Sequence, residues 1–267
     1  MLMLRRLFCG AAENPMTEFK DYCDRYSCVK MQRRNGILEL VLHTADGPLQ
    51  WGPVPSCELP NAFNDIARDQ ENKVIIFTGT GPEFIGPRAT PGSWPRRTSA
   101  EWDVTIRNEM KMGLGMLDIE VPIIAAVNGP ALRHSELALL CDIVLASSEA
   151  SFMDSGRFAA GAVPGDPVHI IYPMLLGLNR GRYFLLTGET LDAHRAKELG
   201  LVSEVMPPDR LLPRAREIAV ELASRSILVL RYTRILLTHR LKREIHETLG
   251  YGLAFAGLSQ TEKRIEA

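Results

Sequence analysis

The chain has 267 residues, 46% of them hydrophobic, and a formal net charge of -1. That length suits one large α/β domain, or one domain with a helical appendage, and the near-neutral balance gives no electrostatic ground for nucleic acid or an acidic membrane as a partner. Five cysteines, an odd number without zinc-ligand spacing, point to reduced thiols in a cytoplasmic protein, and no apolar run reaches the roughly 20 residues that span a bilayer.

Residues 1–15 hold a short apolar stretch interrupted by Arg5-Arg6, which does not make a secretory signal. They are expected to be a loose extension, or to precede a start at Met16. Strands are expected over 28–34 and 37–43, about an Asn35-Gly36 hairpin turn. Residues 45–55, rich in Gly and Pro, form a loop that carries Trp51. A helix over 57–68 and a buried strand over 73–78 follow, then a second loop over 79–95 in which Pro87 has no N–H to donate. Helical periodicity covers 100–117, and an apolar strand runs over 121–127 to a break at Asn128-Gly129-Pro130. A short helical segment then delivers Cys141-Asp142 into a strand over 143–146. Helices are expected over 167–176 and 180–186, and two or three more across 207–225 and 227–256. There is no internal repeat and no low-complexity tract.

The order Asn128-Gly129, Glu136-Leu137-Ala138-Leu139, Cys141-Asp142, Ala146-Ser147 and Pro164-Gly165 resembles the crotonase (enoyl-CoA hydratase/isomerase) superfamily. So does the run from Ala196 to Gly200-Leu201-Val202. The resemblance implies an α/β crotonase spiral of ββα units over 16–206. It also implies a C-terminal helical region over 207–267 that packs on neighbouring subunits in a homotrimer or a homohexamer. Typical members stabilise a thioester enolate with two backbone N–H groups, one from a Gly-Gly-Gly run after the turn. Here Arg133-His134-Ser135 replaces that run, and three full side chains cannot approach a thioester as glycines do. At the second position Phe84-Ile85-Gly86-Pro87 keeps only the Phe and the Gly, which leaves Gly86 as a candidate substrate contact.

A closer similarity is to the β-diketone hydrolases typified by 6-oxocamphor hydrolase. It is carried by Trp51, residues 69–74, Gly79-Thr80-Gly81-Pro82, His134, Val163-Pro164-Gly165-Asp166 and residues 179–188. It implies retro-Claisen cleavage of the C–C bond between two carbonyls, with no cofactor and no metal. In that chemistry Trp51 and His134 would each donate an N–H to a ketone oxygen, while Asp166 would take the proton of water or orient the group that does. Two positions depart from the pattern: Arg157 stands where these hydrolases carry a histidine paired with the aspartate, and Ala256 where they carry a glutamate. An arginine beside Asp166 would favour the charged carboxylate and weaken it as a base. Arg157 is thus a candidate for substrate contact, or for an ion pair with Asp154 or Asp166. Glu136, at the place of one crotonase catalytic glutamate, is a candidate acid or base.

Each of these residues has a structural alternative. His134 can satisfy a helix start, Asp166 can be an N-cap, and Trp51 can be loop packing. The remaining histidines have no metal-ligand spacing. The expected function is a cofactor-independent hydrolase of a cyclic β-diketone, acting on a small carbonyl substrate. One alternative is a hydratase or isomerase of acyl-CoA thioesters; another is a catalytically silent oligomeric binding protein. The cavity separates them: a coenzyme A channel with paired backbone N–H groups, an apolar cavity capped by Trp51 and His134, or a space filled by Arg157 on a carboxylate.

Overall fold

The computed structural model describes residues 17–86 and 97–260. The extension expected over 1–15 and the expectation for Pro87 lie outside the described residues.

The chain opens with α1 (Phe19–Tyr22) and the antiparallel hairpin of β1 (Val29–Arg34) and β2 (Ile37–Leu42). Asn35 and Gly36 turn it at φ 52° and 79°, the left-handed pair that a two-residue hairpin demands. Then come β3 (Leu49–Gln50), α2 (Pro53–Arg68), β4 (Val74–Gly79), β5 (Ile85–Gly86) and α3 (Ser99–Asp118). The central stretch forms β6 (Ile123–Val127), α4 (Glu136–Leu139), β7 (Ile143–Ser147) and β8 (Ser151–Phe152), followed by a 3-10 turn at Phe158–Ala160. The chain closes with α5 (Val168–Leu176), α6 (Leu178–Thr187), β9 (Leu191–Asp192), α7 (Ala193–Glu198), β10 (Glu204–Met206), α8 (Pro208–Ala223) and α9 (Ile227–Ser259).

Six strands form the main sheet in the order β1-β2-β4-β6-β7-β10, parallel except for β1. A second row runs beside it. There β3 pairs with β5, β8 pairs with β9, and single bridges from Ala131 to Ile85 and to Phe152 join the two pairs. Each turn of the chain therefore lays a long strand in the main sheet, a short strand or one bridging residue in the second row, and then a helix. The sets β2-β3-α2, β4-β5-α3 and β6-Ala131-α4 repeat this pattern, which is the ββα spiral of the crotonase fold.

The apolar runs of β4 and β6 do not alternate because both faces of the sheet are covered. Ile75, Phe77, Ile123, Ala125 and Val127 join the main core with α2 and α3. Val74, Ile76, Ile124, Ala126 and Leu145 instead meet Leu211, Ala215 and Ala219 of α8. Two boundaries differ from expectation. The second helix begins at Pro53 rather than 57, since prolines in a first turn lack only an N–H that has no partner there. The C-terminal helices are α8 and a single 33-residue α9. Arg234, fully buried, ties α9 to the body: Nε donates to Asp142 Oδ2 at 2.7 Å, and the guanidinium also donates to the carbonyls of Met116 and Ile119 at the end of α3.

Candidate active site

Three segments bring these side chains together: the loop after β3, the residues after the bridging Ala131, and the connection between β8 and α5. Trp51 follows β3, and its backbone N–H donates to Gly86 O of β5 at 2.9 Å. Gly86 thus anchors the tryptophan loop from behind. His134 lies just after the bridging Ala131, with φ at 49°. That left-handed conformation costs a non-glycine residue about 1 kcal/mol. It is the conformation glycine adopts freely, at the place where the superfamily carries its glycine run. Arg157 leads into the 3-10 turn, and Asp166 precedes Pro167 at the start of α5.

The side chains converge on the imidazole. His134 stacks on Trp51, with ring centroids 3.6 Å apart at 28°. Its Nδ1 lies 2.8 Å from Glu136 Oε1, and its Nε2 lies 3.2 Å from Arg157 Nη2. A guanidinium carries donors only, so Nε2 is the acceptor and the ring hydrogen sits on Nδ1, facing Glu136. His134 in this state turns no N–H toward a ketone, which differs from the donor role expected for it. Burial holds its pKa well below the ordinary histidine range, and the charge of Arg157 reinforces this, so the ring is neutral. Burial pushes the Glu136 carboxyl up to about 7 against the opposing pull of Arg157. The Asp154 carboxyl is likewise raised to about 7 by burial.

Arg157 pairs with Asp166 Oδ2 rather than with Asp154. The N-cap alternative for Asp166 is not what forms, because Pro167 occupies that position without a side-chain cap bond. The second carboxylate oxygen, Oδ1, is buried and has no hydrogen-bond partner among the described residues.

Trp51, His134, Arg157 and Asp166 line a cavity of about 690 Å³ that also meets Leu253 and Ala256 of α9. Glycines allow that helix to come so close: a Cβ at Gly165 would lie 2.2 Å from Gly252 O. Neither Glu136 nor Gly86 is in the cavity wall. Glu109 of α3, which the motifs did not single out, is in it. Glu109 is 5% exposed, and among the described residues its Oε2 has no hydrogen-bond partner. The signal for it was present in the spacing. Glu109, Met112, Gly113, Met116 and Leu117 are the buried positions of α3, so a carboxylate occupies the apolar stripe of an amphipathic helix.

Glu109, His134 and Asp166 bring potential ligand atoms within 4.8 Å of one another. The guanidinium of Arg157 already bonds both His134 and Asp166, so the cation among these three residues is the chain's own arginine.

The family model for enoyl-CoA hydratase/isomerase matches residues 55–255. The chain belongs to the enoyl-CoA hydratase/isomerase family. Curated members include a crotonyl-CoA hydratase of Syntrophomonas wolfei, 33% identical over 211 residues that cover 77% of this chain and 81% of that protein. A putative enoyl-CoA hydratase/isomerase of Bacillus subtilis is 34% identical over 187 residues, 68% of this chain and 70% of that one. Among solved structures, a β-diketone hydrolase from the cyanobacterium Anabaena, bound to (S)-3-oxocyclohexyl acetic acid, is 45% identical. It superposes with a TM-score of 0.86 over 94% of this chain and 98% of that one.

Proposed function

We propose that this member of the family is a cofactor-independent hydrolase that cleaves a C–C bond of a cyclic β-diketone by a retro-Claisen reaction. The observation that carries the reading is the imidazole of His134, held in a glycine-type backbone conformation and stacked on Trp51 over a 690 Å³ cavity. A side chain there keeps a thioester from the backbone N–H that a glycine would offer, and leaves room for a compact ring. The 45% identity to a β-diketone hydrolase supports the same reading.

The reaction distributes over the wall as follows. Asp166, through its unpartnered Oδ1, accepts the proton of the attacking water. The tetrahedral oxyanion is stabilised by the Trp51 indole N–H and the Arg157 guanidinium, donors aimed into a water-poor site. His134 positions both, by stacking on one and accepting from the other. The four cysteines of the described residues are free thiols, in keeping with a cytoplasmic enzyme. The outward residues of α9, among them Leu228, Tyr232, Leu236 and Leu237, are exposed and apolar, which fits burial against further copies in a homotrimer or a homohexamer.

The competing reading, hydration of an enoyl-CoA thioester, is favoured by the names of the curated relatives and by the raised Glu136 carboxyl. That carboxyl, however, lies behind His134. An ultraviolet assay on a bicyclic β-diketone and on crotonyl-CoA decides between the two. Loss of the diketone chromophore, slowed about 100-fold in His134→Ala through misplaced donors, is the expected result. Hydration of crotonyl-CoA with the diketone untouched would refute the hydrolase.

A further inference from the structure

We propose that Glu109 is the acid of this reaction: a neutral carboxyl that hands its proton to the ring carbon from which the acyl group departs. The inference rests on the hydrolase reading above and adds a residue and a step to it.

Retro-Claisen cleavage needs two opposite proton transfers. Water loses a proton as its oxygen attacks one carbonyl carbon. When the tetrahedral intermediate collapses, the C–C bond breaks and its electron pair becomes an enolate on the second carbonyl. That enolate carbon must then receive a proton. Asp166 carries water's proton after the first transfer and returns it only to an atom it faces; a second carboxyl that enters the cycle protonated can serve the enolate carbon from another part of the cavity wall.

Among the described residues only one carboxyl group besides Asp166 is both buried and in the cavity wall; Asp154, also raised by burial, is not in that wall. Asp166 is engaged by the Arg157 guanidinium. Glu136 is bonded to His134 Nδ1 and is not in the cavity wall. Glu101 reaches the wall but is exposed and closes the N-terminal cap of α3 with Thr98. Glu109 is in the wall, 5% exposed, and makes no hydrogen bond at Oε2. Burial raises its pKa, the direction that keeps the proton on. The charges of Arg157 and Arg97 pull the other way and burial outweighs them, and a neutral acid tolerates a buried oxygen without a hydrogen bond better than a carboxylate does.

The placement is built in by α3. One turn beyond Glu109, Gly113 presents its bare α-carbon to Pro167, where an added Cβ would lie 3.4 Å from the proline ring. Since Pro167 follows Asp166, that contact sets Glu109 beside the water-activating carboxylate, their oxygens within 4.8 Å. The cycle closes without a further reagent. Water gives its proton to Asp166 and its hydroxyl to the acyl carbon, Glu109 protonates the enolate carbon, and the proton on Asp166 returns to Glu109. The new carboxylic acid releases its own proton to solvent.

The test is turnover of a prochiral bicyclic β-diketone in heavy water by wild type, Glu109→Gln and Glu109→Asp. Wild type is expected to place one deuterium on a single face of the new α-carbon. Glu109→Gln should lower kcat by about 100-fold or more, with KM little changed and the residual product labelled on both faces. Glu109→Asp, still an acid but set back by one methylene, should recover part of the rate and the single-face label. It also serves if the glutamine variant does not fold. Wild-type kcat with single-face labelling in Glu109→Gln would overturn the proposal. A second readout separates it from the hydrolase reading: exchange of the α-hydrogens of 3-oxocyclohexyl acetic acid, the reverse of the protonation step. If wild type leaves every diketone intact yet exchanges these hydrogens, and Glu109→Gln does not, the hydrolase reading fails and the acid stands. Absence of both activities in wild type removes both.

Discussion

Burial sets the protonation pattern around Arg157, whose charge reinforces it at one group and opposes it at two. That charge opposes protonation of His134 and draws Glu136 and Asp154 back toward ionisation, yet burial outweighs that draw for both carboxyls. Glu136 supplies a pH test. Its carboxyl is raised from near 4.5 to about 7, so above pH 4.5 the folded chain keeps a proton that the unfolded chain has released. The stability it contributes is therefore full below about 4.5 and is lost as the pH rises toward 7, by at most about 3 kcal/mol. Thermal unfolding should show wild type losing stability relative to Glu136→Gln between pH 5 and 7.5. A constant difference across that range would mean that Glu136 ionises normally. His134 works in the opposite sense below about 6.5, which is why the comparison is decided at the upper end of that pH range. At this scale the sequence pointed to Trp51, His134, Arg157 and Asp166, which the structure gathers in one cavity wall, because each replaces or retains a position in a recognisable run. It did not single out Glu109, although that carboxylate stands in the buried stripe of α3, because the rest of the cavity wall comes from turns of the chain far away. Nor could it supply the tautomer of His134, which depends on which group meets which ring nitrogen.

Secondary-structure elements hold these residues in register by close backbone approach. Gly165, just ahead of Asp166, meets Gly252 of α9 where a Cβ would lie 2.2 Å from a carbonyl oxygen and 2.8 Å from the Ala256 methyl. A Gly165→Ala substitution should push α9 away and destabilise the fold by about 1–3 kcal/mol, the usual cost of overpacking. Since α9 walls the cavity, Leu253 and Ala256 would move with it. Calorimetry gives the first effect; an unchanged melting temperature would mean that α9 yields there at no cost. The long elements were legible from apolar runs and helical periodicity, and the Asn35-Gly36 turn from its residue types. The two-residue strands β3, β5, β8 and β9 were not, since two residues carry no period. The Pro-rich start of α2 was misjudged as loop because prolines that break a helix interior are tolerated in its first turn.

Across the whole molecule, the two-faced sheet consumes the apolar faces of α2, α3 and α8, while α9 keeps an apolar surface outward. Leu236 and Leu237 are 76% and 73% exposed, and the homo-oligomer proposed above would cover them. Light scattering on a Leu236→Glu, Leu237→Glu double variant should report smaller particles than wild type, with the circular dichroism of the fold preserved; equal masses would remove α9 from the interface. The sequence implied such assembly only through resemblance, because exposure is a property of the folded chain. The position of α9 carries a further consequence. The same helix walls the cavity through Leu253 and Ala256 and, where a second copy covers its outer side, bears the contact between copies. Occupancy and association are then thermodynamically linked: dilution that parts the copies weakens apparent affinity, and a ligand that steadies the cavity opposes dissociation.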